Sequence, residues 1–276
     1  MEPRYLYGII GHPLEHSLSP ALHNWGFART GWPAAYYRWP VPPAGLGEMI
    51  RACRALPIHG LSVTLPHKQA VMPLLDTLTP AAREVGAVNT LYWEEGRLVG
   101  HNTDLAGFLA PLRALSALPD SALVLGAGGA ARAALAGLRA LELGKVGVCA
   151  RSPGKAQALA RDFGVEFVPW EERAQHTARL LVNATPLGLH GELATASPWP
   201  AFAGRGIAYD LVYNPLETRF LRDAHAAGWQ TLDGLDMLVA QGVEQFRLWT
   251  GHTLENAAAR AALLPLLAPL AAPGAR

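Results

Sequence analysis

The stretch Ala122-Leu123-Val124-Leu125-Gly126-Ala127-Gly128-Gly129-Ala130-Ala131 decides the fold of this chain. Its first four residues are a short apolar run that predicts a buried strand, and a helical pattern follows the turn as far as Leu141. Gly126, Gly128 and Ala131 match the G-x-G-x-x-G/A spacing of turns that bind a dinucleotide pyrophosphate at a helix N-terminus. Such a turn alone is a weak signal, and it could be an ordinary glycine turn. A strand before it, a helix after it and a second strand ending near Cys149 together predict a Rossmann-type βαβ unit.

The end of that second strand indicates which dinucleotide is bound. NAD sites usually place an Asp or Glu there, which accepts hydrogen bonds from the ribose 2′-hydroxyl. This chain has Ala150-Arg151-Ser152-Pro153-Gly154-Lys155 instead. Arg151 and Lys155 can pair with a 2′-phosphate and Ser152 can donate to it. These residues favour NADP, with a solvated basic turn as the alternative.

The remaining apolar runs predict an α/β chain with two domains. Strands at 6–10, 35–39 and 60–65 alternate with helices at 20–30 and 45–56, which predicts a mostly parallel sheet. We expect residues 104–237 to form a doubly wound, Rossmann-type NADP-binding domain. Residues 1–103 and 238–276 would form an N-terminal α/β substrate domain, to which the C-terminal helices return. A cleft between the domains is the expected place of the chemistry.

Composition narrows the classes of function. Of 276 residues, 50% are hydrophobic and 16% are charged, and the net charge of +1 includes no Lys/Arg block that would bind nucleic acid. Cys53 and Cys149 do not form a CxxC motif, and no His/Cys/Asp cluster has metal-ligand spacing, so no metal is expected. The sequence predicts no signal peptide and no membrane span, which favours a cytoplasmic protein. The oligomeric state stays open, with a homodimer as one option.

The run Ser17-Leu18-Ser19-Pro20 carries two hydroxyls before a helical pattern. Ser19 can be the N-cap of that helix, with Pro20 at its first position. Two hydroxyls beside a helix N-terminus also suit a carboxylate, because they add neutral donors to the positive end of the helix dipole. The run therefore predicts both a helix start and a carboxylate-binding site.

Lys68 and Asp104 are the candidate acid–base pair. Lys68 follows the predicted apolar strand 60–65 in the stretch Ser62-Val63-Thr64-Leu65-Pro66-His67-Lys68, and a lysine at the mouth of a strand is usually just solvated. Asp104 ends Asn102-Thr103-Asp104 before a helical run, so it can equally be a helix cap. A partly buried lysine beside a carboxylate could exchange a proton with a hydroxyl while a hydride moves to or from a dinucleotide.

These runs together resemble the shikimate dehydrogenase family over nearly the whole chain. Residues 17–20 are similar to its Ser-x-Ser-Pro site, 63–68 to its V-T-x-P-x-K strand, and 86–90 to its G-A-V-N-T run. Residues 100–108 resemble its N-T-D block, and 183–188, 213–215 and 237–241 match three later motifs. Each motif alone is unpersuasive, but the set is highly specific.

The resemblance implies reversible NADPH-dependent reduction of 3-dehydroshikimate to shikimate, on the route to chorismate and the aromatic amino acids. It implies catalysis by Lys68 assisted by Asp104. The implied substrate contacts are Ser17, Ser19, Thr64, Lys68, Asn89, Asp104, Tyr213 and Gln241. The implied NADP contacts are Gly126, Ala127, Gly128, Gly129, Ala130, Arg151, Ser152 and Lys155, with Leu211 and Gly234 near the nicotinamide.

Three positions depart from the family pattern. Ser62 stands where relatives usually have Asn, which should alter a strand-end hydrogen bond without removing chemistry. Ala150 replaces another Asn beside Arg151, and the arginine should keep the preference for NADP. Asp236 stands where many relatives carry Gly, and it either slightly disfavours NADPH or caps the following helix.

Two alternative functions stay open. A quinate/shikimate dehydrogenase of the same fold would accept quinate and often NAD, although Ser17, Ser19 and the Arg151 turn argue against it. A non-catalytic sensor would bind a shikimate-like ligand and NADP, but such a protein would gain little from Lys68 and Asp104.

Overall fold

The computed structural model of the chain describes residues 2–189 and 205–267, which belong to two compact units. Unit 1 comprises Met1–Gly107 and Val239–Leu264. Unit 2 comprises the described residues within Phe108–Leu238, together with residues 265–267. The predicted α/β class is confirmed. In the described part of the chain, no helix has the length and apolar character needed to cross a membrane.

Unit 1 is built on a six-stranded sheet. Its strands are β1 (Tyr5–Gly11), β2 (Ala34–Pro40), β3 (Ile58–Val63), β4 (Thr77–Leu78), β5 (Thr90–Glu94) and β6 (Arg97–His101), in the order β2-β1-β3-β5-β6-β4. β1 pairs in parallel with β2 and β3, as the alternation of strands and helices predicted. β5 pairs antiparallel with β3 and β6, and the sequence did not predict these pairings. The β5–β6 pair is joined by a tight hairpin over Glu95 and Gly96, both with positive φ.

The helices of unit 1 place the polar motifs at strand ends. They are α1 (Ser19–Thr30), α2 (Leu46–Ala55), α3 (His67–Ala70), α4 (Pro80–Val85) and the start of α5 (Asp104–Arg113). The apolar face of the sheet packs in a core that includes Ile10, Leu61 and Leu91, each at most 1% exposed. Burial of such large side chains is the main favourable contribution to folding.

Unit 2 has the strand order of a doubly wound nucleotide-binding fold, so the Rossmann prediction is confirmed. Its strands are β7 (Ser121–Leu125), β8 (Lys145–Cys149), β9 (Glu166–Phe167), β10 (Leu180–Asn183), β11 (Ile207–Asp210) and β12 (Gln230–Leu232), in the order β12-β11-β10-β7-β8-β9. All the pairings are parallel. The order reverses between β7 and β10, and ligands of such sheets bind at the carboxyl ends of the strands beside that point. The helices are α6 (Gly129–Ala140), α7 (Pro153–Phe163) and α8 (Arg219–Ala226).

The last two helices, α9 (Gly234–Thr250) and α10 (Asn256–Leu263), include residues that complete unit 1. Aromatic rings fix the last turns of α9 on the sheet. The Trp249 ring lies 5.2 Å from that of Tyr7, and the Phe246 ring lies 5.3 Å from that of Phe27. Gly26 permits this approach, since a Cβ there would lie 2.7 Å from the Phe246 ring. Anchored in this way, α9 carries Gln241 and Gln245 into the interior of unit 1.

Candidate active site

Lys68 and Asp104 form an ion pair in unit 1. The Lys68 Nζ donates to Asp104 Oδ2 at 2.6 Å, and the two side chains are 19% and 6% exposed. Asp104 begins α5, where the helix dipole favours a negative charge. The two residues that the sequence singled out for proton transfer are therefore in contact and largely shielded from water.

Asp104 is free to make this contact because Asn102 caps the helix. The Asn102 Oδ1 accepts the Leu105 N–H at 3.2 Å, and its Nδ2 donates to the Ala87 carbonyl at 2.8 Å. The interpretation of Asp104 as a helix cap is therefore wrong. Its two carboxylate oxygens face Lys68 and Asn89 instead.

Lys68 lies on the short helix α3 and not at the end of a strand. β3 ends at Val63, and the chain turns before α3 with the His67 N–H donating to the Thr64 carbonyl at 2.9 Å. The buried His67 ring donates to the Val41 carbonyl at 2.7 Å, and the Val88 N–H donates to the Lys68 carbonyl at 2.7 Å. These bonds fix the backbone that carries the lysine. Thr64 lies in the same turn, half-buried.

Asn89 and Gln241 join the ion pair. The Asn89 Nδ2 donates to Asp104 Oδ1 at 2.8 Å and lies 3.3 Å from Gln241 Oε1. Asn89 is 2% exposed and Gln241 9%. Four of the predicted substrate residues, from α3, the chain before β5, α5 and α9, thus meet in one polar cluster. Such a cluster can hold hydroxyl groups and move a proton.

The serine run is arranged differently from the capping prediction. α1 begins at Ser19 itself, after Leu18, and no side-chain bond caps it. Ser17 Oγ accepts the Ser19 N–H at 3.3 Å, so the hydroxyl that contacts the backbone before this helix is that of Ser17 and not that of Ser19. The Ser19 side chain is buried, with 6% of it exposed. Ser19 as the N-cap was therefore wrong.

The glycine turn of unit 2 fits a pyrophosphate. Gly126 follows β7 with φ +123°, and its N–H donates to the Cys149 carbonyl at 2.7 Å. Gly128 is the N-cap of α6, and a Cβ added to it would meet nothing within 4 Å. Ala131 is fully buried, so the helix lies close to the sheet. The backbone at the helix N-terminus is thus open to a ligand with phosphate oxygens.

The turn after β8 fits a 2′-phosphate. Cys149 and Ala150 are buried, whereas Arg151, Ser152 and Lys155 are exposed around the start of α7. Two exposed cations and a hydroxyl stand where an NAD site would carry an acid.

Leu211 and Gly234, predicted beside the nicotinamide, are neighbours. A Cβ on Gly234 would lie 2.6 Å from the Leu211 carbonyl oxygen. Asp233 Oδ1 accepts the Leu235 N–H at 2.9 Å, so Asp233 caps α9, and Asp236 lies in its first turn. Tyr213 is half-buried in the loop after β11, and its role at the substrate stays a prediction.

Substituting the two turn glycines should separate folding from binding. Gly126→Ala would force an L-residue to φ +123° with its Cβ 2.8 Å from the Ala184 carbonyl, so we expect a loss of about 1–3 kcal/mol in the free energy of unfolding. Gly128→Ala has room for its Cβ, so we expect near-wild-type stability but weaker NADP binding, because the methyl group would stand where the glycine turn is predicted to bind the pyrophosphate. Urea unfolding and NADP titration of both variants measure this. Equal effects of the two variants on stability would contradict it.

A buried carboxyl group ties together two loops of unit 2. Asp210 Oδ1 accepts from Asn183 Nδ2 at 2.9 Å and from the Val212 N–H at 3.0 Å, and Thr218 donates to Oδ2. Burial raises the pKa of Asp210 to about 7, and the bonds from Thr218, Val212 and Asn183 partly oppose this rise. The group joins the loops after β10 and β11 at the carboxyl edge of the sheet.

Asp210 should make stability depend on pH. Between about pH 4 and 7 the folded chain binds more of this proton than the unfolded chain, so stability falls as pH rises through that window and is flat above it. We expect the free energy of unfolding of wild type, measured against Asp210→Asn, to fall by up to about 4 kcal/mol across the window. Urea unfolding at several pH values checks this. If the difference in the free energy of unfolding between wild type and Asp210→Asn did not change with pH, the predicted role of Asp210 would be wrong.

Sequence reasoning missed several residues around the ion pair. They are Tyr36, Thr90 and Gln245, and Ser62 was noted only as a departure from a family pattern. Gln245 carried one available signal, because it lies four residues after Gln241 and so on the same face of α9. Among the described residues, no three His, Cys, Asp or Glu side chains are grouped to hold a metal ion.

Comparisons with known proteins identify the family to which the chain belongs. A family model described as the shikimate dehydrogenase substrate binding domain matches residues 9–91, and one described as the shikimate 5′-dehydrogenase C-terminal domain matches residues 234–264. The chain is 55% identical over 270 residues to the shikimate dehydrogenase (NADP(+)) of Oleidesulfovibrio alaskensis, covering 96% of this chain and 97% of that protein.

Solved structures are similar over nearly the full length. Shikimate 5-dehydrogenase from Thermus thermophilus, crystallised with NADP(H) and shikimate, has a TM-score of 0.87 and 43% identity, covering 95% of this chain and 100% of that chain. Quinate dehydrogenase from Corynebacterium glutamicum, in complex with NAD, has a TM-score of 0.86 and 34% identity, covering 95% and 99%.

Proposed function

The chain belongs to the shikimate dehydrogenase family, and on that premise we propose that it catalyses the reversible NADPH-dependent reduction of 3-dehydroshikimate to shikimate. This places it on the route to chorismate and the aromatic amino acids. The observation that carries the proposal is the shielded Lys68–Asp104 ion pair, with Asn89 and Gln241 around it. We assign substrate binding to unit 1 and cofactor binding to unit 2.

Lys68 is the proposed acid and base. Its ammonium group gives one of three hydrogens to Asp104, which leaves others to donate to a carbonyl oxygen of the substrate. During reduction, Lys68 would give a proton to the developing alkoxide, and in the reverse direction it would take the hydroxyl proton. Asp104 holds the ammonium group in place and keeps a negative charge beside it.

The substrate hydroxyls would bind to the amide groups of the cluster. Asn89 Nδ2 has two hydrogens but three acceptors nearby, Thr103 Oγ1, Asp104 Oδ1 and Gln241 Oε1. A substrate oxygen could therefore replace one of these partners at small cost. Ser17, Ser19 and Tyr213 are proposed to bind the carboxylate end of the substrate, and Thr64 is proposed to contact one of its hydroxyl groups.

NADP fits the residues of unit 2. Gly126 to Ala130 would hold its pyrophosphate, and Arg151, Ser152 and Lys155 would hold its 2′-phosphate. Leu211 and Gly234 are proposed to lie beside the nicotinamide, which supplies or accepts the hydride when NADP is bound.

The proposal is tested by absorbance of reduced nicotinamide with four pairs: shikimate or quinate, each with NADP or NAD. A strong signal only for shikimate with NADP is expected. Comparable rates with quinate or NAD would support the dual-specificity alternative, and binding of shikimate and NADP without turnover would support a sensor.

Location and assembly are parts of the same proposal. The two cysteines are buried and unpaired, as in proteins of reducing compartments, which supports a cytoplasmic enzyme. The chain has a mass of 29.5 kDa, so sedimentation equilibrium distinguishes a monomer from the proposed homodimer.

A further inference from the structure

Four buried side chains continue the polar cluster of unit 1 away from the ion pair. They are Tyr36, Ser62, Gln245 and Thr90, here called the Gln245 network, and they are at most 5% exposed. Nothing in the chemistry proposed above uses them. Burying a polar group destabilises the folded state unless the group is hydrogen-bonded, so we asked how each of these four side chains is bonded.

The hydrogen bonds of Gln245 can run in only one direction. Its Nε2 donates at 2.9 Å to the carbonyl oxygen of Asn89, which can only accept. Its Oε1 must therefore face Ser62 Oγ at 2.7 Å, and Ser62 must donate. Since the Ser62 hydrogen is used, Tyr36 must donate to Ser62 at 2.6 Å. Burial raises the pKa of Tyr36 well above its usual range, which keeps it a neutral donor.

The same direction continues to Asn89. Gln245 Nε2 also donates to Thr90 Oγ1 at 2.9 Å, so Thr90 gives its own hydrogen to Asn89 Oδ1 at 2.7 Å. The Thr103 N–H donates to the same oxygen at 2.8 Å. With its oxygen held by two donors, the Asn89 amide can present only its N–H groups to Asp104.

We propose that Gln245 is a positioning residue for the reaction, because it holds the backbone carbonyl of Asn89 directly and the side-chain amide of Asn89 through Thr90. Ser62 orients Gln245 through a direct hydrogen bond, and Tyr36 acts on Gln245 through its hydrogen bond to Ser62. This inference rests on the proposed function of the Lys68–Asp104 pair, which Asn89 supports. The serine at 62, a departure from the family pattern, then has a partner of its own in Gln245.

Graded variants test the direction of the network. Gln245→Met keeps length and removes both polar groups, and we expect kcat to fall about tenfold, with about threefold for Ser62→Ala and less than twofold for Tyr36→Phe. The KM for NADP should not change, because the cofactor residues lie in unit 2. Trp249→Phe is the control, since it removes another hydrogen bond of α9, the partly buried one from Trp249 Nε1 to the Leu91 carbonyl at 3.0 Å.

A structural role alone predicts a different result. It would lower the amount of folded protein, counted by stoichiometric NADP binding, and leave kcat per folded molecule at the wild-type value in all four variants. The proposal would be overturned if the loss of kcat in each variant were proportional to its loss of stability and if Trp249→Phe lost kcat in the same proportion.

A second measurement does not need turnover. The side-chain amide signals of Asn89 in a ¹⁵N spectrum, identified by their loss in Asn89→Ser, should shift in Gln245→Met and stay in place in Trp249→Phe. Unchanged signals in Gln245→Met would overturn the positioning role. Absence of wild-type activity would instead count against the proposed function, and the amide signals would still decide the network.

Discussion

Replacing Lys68 by alanine is expected to lower kcat by about a hundredfold or more, with a much smaller change in the KM for shikimate. The variant loses the group that we propose to exchange a proton with the substrate oxygen, whereas the amide and hydroxyl contacts remain. It also leaves the Asp104 carboxylate, 6% exposed, without its cation. Steady-state kinetics with saturating NADP measure the two constants.

Lys145→Ala is the matched control for this variant. Lys145 is exposed at the start of β8, so its loss removes a lysine without touching the ion pair. NADP binding by Lys68→Ala should match wild type, which shows that the protein is folded. A folded Lys68→Ala protein with wild-type kcat would remove Lys68 from the mechanism.

Arg151→Ala is expected to raise the KM for NADP by about tenfold to a hundredfold, since a hydrogen bond to a charged group contributes about 1.5–3 kcal/mol. Weak use of NAD should hardly change, because NAD has no 2′-phosphate for Arg151 to hold. Arg151 is exposed after β8, so the substitution should not alter folding. Initial rates at varied NADP and varied NAD give both values.

Arg161→Ala, an exposed arginine near the end of α7, is the matched control for charge. It should leave both constants unchanged. If Arg151→Ala also left the KM for NADP unchanged, the 2′-phosphate would have to bind elsewhere. A parallel loss with NAD would mean that Arg151 contacts a part that both dinucleotides share.

Apolar runs and turn residues predicted most of the fold because they act locally. The run before Gly126 is β7, and the helical pattern after it is α6. The β5–β6 hairpin was not predicted, because its turn Glu95-Gly96 has a glutamate where such turns usually carry Asn, Asp or Gly.

The candidate site could be predicted in its members but not in its arrangement. Motifs identified Lys68, Asn89, Asp104 and Gln241, which the fold brings together. Local pattern misplaced Ser19, because α1 already begins at this residue and its side chain is buried, which depends on how the helix packs in the fold. The Gln245 network joins residues up to 183 positions apart in the chain, and no local pattern reports such contacts.

The most direct test of the central claim is isotopic. Shikimate carrying deuterium at the carbon whose hydroxyl is oxidised would be incubated with NADP and the protein, and the mass of the reduced nucleotide measured by mass spectrometry. The account predicts NADPH that carries the deuterium, formed one for one with 3-dehydroshikimate. No reduced nucleotide, or reduced nucleotide without deuterium, would contradict hydride transfer from this substrate.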